Sequence, residues 1–181
     1  MGGAEGVDQV VTRRTTSPGT MEASPDLYDF LRHWEGEPGG LPALTAYRDS
    51  ANVLTIGYGH TLGVQPGARI TEAEAEGLLQ YDAQEFVDGV NRLVAVPLEQ
   101  HQFDALVSFA FNVGLDEDED TKAEGLGDSS LLRLVNAAQF GLAAGQFTLW
   151  VYANGQVSRG LERRRIAEQA MFRYGDYGMR P

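Results

Sequence analysis

The chain of 181 residues contains no cysteine. No disulfide can support its fold, and the redox state of its surroundings is immaterial to it. No stretch approaches the ~18 consecutive apolar residues that a membrane span requires. Met1 to Thr20 is rich in Gly, Thr and Ser and lacks an apolar signal core. The expectation is therefore synthesis in the cytoplasm without a recognisable signal peptide. Basic residues are scarce: 14 Lys and Arg stand against 26 Asp and Glu, a formal charge of −12. That balance argues against nucleic acid as a partner. His33, His60 and His101 are the three histidines and share no metal-ligand spacing, so no metal and no cofactor are expected. The length suits one domain with a real core and is too short for two, and a monomer is expected.

Residues 1–22 read as a disordered leader, and residues 23–178 as one folded domain. Ser24-Pro25-Asp26 is a helix start, with Ser as cap, Pro at the first helical position and Asp at the positive end of the dipole. Leu27, Phe30, Leu31 and Trp34 recur at helical spacing, which predicts a helix that buries one stripe and stops at Gly36. The breaker-rich Glu37-Pro38-Gly39-Gly40-Leu41-Pro42 reads as a loop. From Leu44 to Tyr58 the pattern is two short strands, turned at Asp49 to Asn52. Thr71 and Glu74 form a capping box that opens a long helix to about Val94. Pro97 is expected to open the next helix, with Phe103, Leu106, Val107 and Phe111 as its apolar stripe. Helices over 131–138, 140–152 and 161–174 complete the expected set. Asp116-Glu117-Asp118-Glu119-Asp120 reads as a solvated insertion spanning about 116–124. A calcium loop wants Gly at its sixth position and Glu at its twelfth, where this chain has Thr121 and Gly127.

Candidate chemistry gathers in two places. Glu35 closes the first helix in Trp34-Glu35-Gly36, where a carboxylate is held in place and partly desolvated. Burial disfavours the charged form, so such a group can hold a proton to donate. Asp49 sits in the hairpin turn, and Thr55 follows six residues later in the second strand. Two carboxylates facing each other across a cleft suit glycosidic bond cleavage: one protonates the leaving oxygen, the other activates or stabilises what attacks the sugar. Each residue also has a plainer use. Glu35 can be a helix-end surface charge, Asp49 a turn former and Thr55 a strand former.

The order Glu, Asp, Thr, followed by Thr55-Ile56-Gly57-Tyr58-Gly59-His60-Thr61, resembles the phage-type lysozymes, glycoside hydrolase family 24. The segment from Gln102 to Gly114 resembles that family's central buried helix. Those from Phe147 to Gly155 and from Arg159 to Arg165 resemble its C-terminal helices. The likeness covers roughly residues 24 to 175. It implies an α+β, mainly helical, lysozyme-like fold. A small β-hairpin lobe (about 24–70) and a larger helical lobe (96–178) flank a cleft, joined by a connecting helix (71–95).

The same likeness implies an N-acetylmuramidase acting on peptidoglycan glycan strands. It would cleave the β-1,4 bond between N-acetylmuramic acid and N-acetylglucosamine with inversion, at the bacterial cell wall or periplasm, in phage lysis. Glu35 is then the general acid, Asp49 the paired carboxylate and Thr55 the water-positioning hydroxyl. Inversion expects carboxyls about 6.5–9.5 Å apart. Thr61 and Phe111 match positions that line the saccharide cleft. Arg164 matches an arginine that orients the acid, and His60 a structural imidazole paired with an acid near the long helix. The Glu35-to-Asp49 interval exceeds the family's by about five residues, which the Pro/Gly loop can absorb, and this leaves Glu37 as a rival acid. Peptidoglycan is anionic, so a charge of −12 repels it at long range, although salt screens beyond about 8 Å. The alternatives are a secreted antibacterial muramidase effector, a lytic transglycosylase using Glu35 alone, and a non-catalytic wall-binding module.

Overall fold

The hydroxyl of Ser24 accepts a hydrogen bond from the Leu27 N–H, and the helix it caps, α1, runs Pro25–Glu35. The computed structural model describes residues 20–116, 124–153 and 155–178. The expected leader up to residue 19 and most of the acidic insertion, 117–123, lie outside the described residues. Leu27, Phe30 and Leu31 of α1 are buried, and Trp34 packs at the edge of the same core. Gly36 stops the helix for a steric reason. A Cβ there would lie 2.6 Å from Arg32 O and 2.8 Å from Gly40 C, so only glycine lets the next loop fold back onto the helix end. That loop is closed on itself: Glu37 N–H donates to Leu41 O at 2.8 Å, and Gly40 N–H to Glu37 O at 2.8 Å.

The hairpin follows as β1 (Ala43–Arg48) and β2 (Leu54–Gly57), antiparallel, with Tyr47 opposite Thr55 and Arg48 opposite Leu54. Asn52 takes the turn's left-handed backbone, φ 65°, which Asn tolerates better than most residues. The Thr71–Glu74 capping box opens α2 (Glu72–Leu93) as its sequence predicts. This long helix touches the hairpin at its start and α3 (Gln100–Val113) further along, so it joins the two lobes. Pro97 does not open α3. The helix begins at Gln100 with Glu99 as its cap, where Gln102 Oε1 accepts from the Glu99 N–H at 3.0 Å and fixes the start downstream of the proline. Every residue from Phe103 to Ala110 is buried, so α3 has no solvent face there and is the centre of the larger lobe.

Beyond α4 (Ser130–Asn136) the expected helix over 140–152 breaks into three pieces. These are α5 (Phe140–Ala144), a 3-10 turn (Phe147–Leu149) and a two-residue strand β3 (Tyr152–Ala153) paired with β4 (Gln156–Val157). The likeness of Phe147 to Gly155 to a helix is thereby corrected. Gly145 weakens helix propagation, and the apolar residues beyond it share no face: Phe147 is buried while Leu149 and Tyr152 are exposed. Ser158 then caps α6 (Arg159–Tyr174), and Gly175 ends it in the left-handed conformation, φ 65°. α6 packs chiefly on α3. The architecture is the expected α+β, lysozyme-like one, with a small hairpin lobe beside a larger helical lobe. Among the described residues no helix is long and apolar enough to cross a membrane.

Three polar ties hold the ends and the lobes. Met21, assigned to the leader by its sequence, exchanges hydrogen bonds of 2.9 Å with the Asn91 side chain on α2, so residues 20–22 are seated on the fold. Asp104, fully buried on α3, accepts from Ser24 Oγ, from Gln100 Nε2 at 3.0 Å and from the Tyr177 hydroxyl at 2.6 Å. At the lobe junction Glu76 of α2 accepts from Arg32 of α1 and from the Tyr58 hydroxyl at 3.0 Å. Burial, then the bond to Glu76, push the Tyr58 hydroxyl up to about 12. A group with a raised folded value adds stability that is complete below its ordinary titration and lost as pH rises through the folded one. Tyr58→Phe is therefore expected to flatten the fall in stability between about pH 10 and about 12, read by urea unfolding across that window.

Candidate functional site

Glu35 is the last residue of α1, and Gly36 turns the chain away immediately behind it. Its side chain keeps 21% of its exposure, and Oε1 accepts from Arg164 Nη1 at 2.6 Å. Oε2 has no partner among the described residues. The rival Glu37 is exposed and its backbone is committed to the closed loop.

Arg164 is buried because α6 lays it against α3. Besides Glu35 it donates from Nε to Glu168 Oε1 at 3.1 Å and from Nη2 to Ser108 O at 3.4 Å. Glu168 and Arg165 are both fully buried. Oε1 of Glu168 also accepts from Ser108 Oγ at 2.8 Å and from Arg165 Nη2 at 3.0 Å, while Arg165 Nε lies 2.8 Å from Oε2. Arg165 reaches Asn112 Oδ1 at 2.9 Å, sits 5.0 Å from the Phe109 ring centre, and leaves Nη1 without a hydrogen bond. Burial pulls the Arg165 guanidinium down to about 10 and pushes the Glu168 carboxyl up, with the attraction between the partners opposing both. The sequence reading picked out Arg164 and missed Arg165, Glu168 and Ser108. The available signal was the four-residue spacing of Arg164 and Glu168, which puts them on one helix face.

The hairpin end carries the second acid. Oδ1 of Asp49 accepts from the N–H groups of Ala51 and Val53 at 2.9 and 2.8 Å. Among the described residues Oδ2 has no partner. The Val53 peptide couples the acid to the hydroxyl: its carbonyl accepts from Asp49 N–H at 3.0 Å and from Thr55 Oγ1 at 3.2 Å. Thr55 is only 3% exposed. Having donated its proton to Val53 O, its hydroxyl can offer lone pairs to a water.

Thr61 and Phe111 meet in an open groove of about 650 Å³, with Leu62, Tyr81, Glu85 and Phe86 among its walls. The Phe86 and Phe111 rings stack edge to face at 5.2 Å. Glu35, Asp49 and Thr55 are not in that lining. Asn112 and Val113 open onto a second groove of about 520 Å³, with Trp150, Tyr152 and Leu161. The end of α3 thus borders a hollow on each side. His60 is structural in its contacts: Nδ1 lies 2.9 Å from both Asp82 oxygens and Nε2 2.9 Å from Leu62 O, leaving neither nitrogen for a substrate. Among the described residues no cluster of three metal-binding side chains occurs.

Comparison with known proteins shows the family. The phage lysozyme family model matches residues 33–168. The chain is 47% identical over 158 residues to an endolysin of Bacillus phage PZA, covering 86% of this chain and 56% of that protein. It is 36% identical to the endolysin of Salmonella phage P22, covering 84% of this chain and 98% of that one. Among solved structures, the muramidase domain of SpmX from Asticaccaulis excentricus superposes with a TM-score of 0.72 at 36% identity, covering 84% of this chain and 97% of that domain. The chain spans about half the length of the first curated relatives it matches, 44% and 56%.

Proposed function

The chain belongs to the phage lysozyme family, and from that premise we propose that it hydrolyses peptidoglycan glycan strands at the bacterial cell wall. The bond is the β-1,4 link between N-acetylmuramic acid and N-acetylglucosamine. The observation that carries this reading is the matching state of two acids: the helix-end Glu35 is held at one oxygen by Arg164, and the hairpin-end Asp49 is backbone-bonded at one oxygen. In each acid one oxygen is anchored and the other is left for chemistry.

Glu35 gives its proton from Oε2 to the glycosidic oxygen as the bond to the anomeric carbon breaks. Asp49, ionised, uses Oδ2 to take a proton from the attacking water or to stabilise positive charge on the sugar. Thr55 accepts a hydrogen bond from that water, since its own proton is given to Val53 O. Attack from the face opposite the leaving group inverts the anomeric configuration. Thr61 and Phe111 line the groove that holds neighbouring sugars.

The test is mass spectrometry of fragments released from purified peptidoglycan. Fragments ending in reducing N-acetylmuramic acid support the reading, anhydro ends mean a transglycosylase, and no fragments from folded protein mean a binding module. Asp49→Asn is expected to cut the rate of fragment release about 10²-fold, because the amide keeps the turn's hydrogen bonds but accepts no proton. Full activity in that variant contradicts the two-carboxylate mechanism.

A further inference from the structure

Glu168 is a fully buried acid to which the mechanism above gives no part. Its Oε1 accepts from three donors of the chain itself, on Ser108, Arg164 and Arg165. One of these is the guanidinium that holds Glu35. Of the five N–H groups of Arg164, that on Nε is given to Glu168 Oε1 and one on Nη2 to Ser108 O. The bond to Glu35 comes from Nη1. A guanidinium free to turn meets a carboxylate with two parallel bonds, occupying both oxygens. Here, with Nε and Nη2 turned to their anchors, one bond to one oxygen is made.

Charge follows the same chain. Glu35, Arg164, Glu168 and Arg165 alternate in sign, so with Glu35 ionised the four groups sum to zero, and with Glu35 protonated to a single positive charge. Remove the charge of Glu168 and each state gains one positive unit, which favours losing the proton of Glu35. Remove that of Arg165 and the balance tips the other way. The groups facing Glu168 are Arg164 and Arg165 on its own helix and Ser108 on α3. The other titratable residues of α3, His101 and Asp104, bond to Met171 O and to the Ser24–Tyr177 pair instead. The 3-10 turn and α5, which also pack on α6, contain no titratable side chain.

We propose that Glu168 is a positioning residue for Glu35, acting through Arg164. It holds the guanidinium in the orientation that bonds one oxygen of Glu35 and matches its charge, so that the second oxygen is left to deliver a proton. The inference rests on the reading of Glu35 as general acid, and adds the buried group that sets when that acid is loaded.

The experiment compares wild type, Glu168→Gln and Arg165→Met by two readouts. One is the pH dependence of kcat and KM on purified peptidoglycan; the other is the titration of the Glu35 carboxyl, followed by NMR of 13C-labelled protein. In Glu168→Gln the alkaline limb of kcat and the Glu35 titration are expected to move to lower pH by about one unit, a tenfold loss of kcat above the limb, with KM little changed. In Arg165→Met both are expected to move to higher pH. A purely structural role lowers the folded fraction and leaves both positions where they are, and that result overturns the inference, as do shifts of the same sign. If Glu168→Gln does not fold, the upward shift in Arg165→Met carries the test, and a stationary one overturns it. A wild type that releases no fragments sinks the hydrolase reading, while a stationary Glu35 titration in an active enzyme sinks this inference alone.

Discussion

Glu35→Gln is expected to lower kcat for peptidoglycan hydrolysis by about 10³-fold or more while the protein folds normally. The amide has the carboxyl's shape, and its oxygen can still accept from Arg164 Nη1, the one side-chain hydrogen bond the native group makes among the described residues. What it lacks is a proton that can be given to the leaving oxygen. Arg164 keeps Glu168 as its counter-charge, so no buried cation is stranded by the change. The matched control is Glu37→Gln, whose side chain is exposed beyond the helix stop, and full activity is expected there. Fragment release and thermal unfolding check both variants. An active Glu35→Gln paired with an inactive Glu37→Gln transfers the acid to the loop.

Arg164→Met is expected to cost about 3–5 kcal/mol of stability, the cost of removing one partner from a buried ionic network. Two carboxylates depend on this guanidinium, one of them fully buried. The sign of the pH dependence follows from Glu168. Burial already raises its carboxyl, and without Arg164 an opposing influence is gone. A carboxyl with a raised folded value contributes stability below the ordinary carboxylate range and loses it as pH rises. The variant should therefore lose more stability near neutral pH than in mild acid, measured by urea unfolding at each. A loss of the same size at both pH values would mean that Glu168 stays charged by other means, with Arg165 as its sufficient partner.

The parts of the fold that were legible in the sequence are those set by neighbours in the chain. Ser24 and Pro25 mark the start of α1, Thr71 and Glu74 the start of α2, and both caps are made by groups within three residues. The 140–152 segment was misread because its apolar residues look helical when their burial is unknown. Phe147 goes inward, whereas Leu149 and Tyr152 face out, a division set by where α6 lies rather than by local pattern. Glu35 and its Arg164 partner were legible through a family pattern, although 129 residues separate them. Glu168 was not. An acid in an Arg-rich helix reads as solvated surface charge, and only the packing of α6 on Ser108, 60 residues earlier, makes it an interior group.

Asp104 gives the molecule a mechanical property. The hydroxyls of Ser24, just ahead of the first helix, and Tyr177, just behind the last, are fastened to the same oxygen, Oδ2, of one carboxylate. The described chain is thus a closed ring fastened by a buried clasp. A motor that unravels proteins by pulling, whichever end it grips, meets the same lock before it can peel a helix from the core. Resistance to being unthreaded is therefore concentrated at a residue far in sequence from the acids proposed to cut sugar.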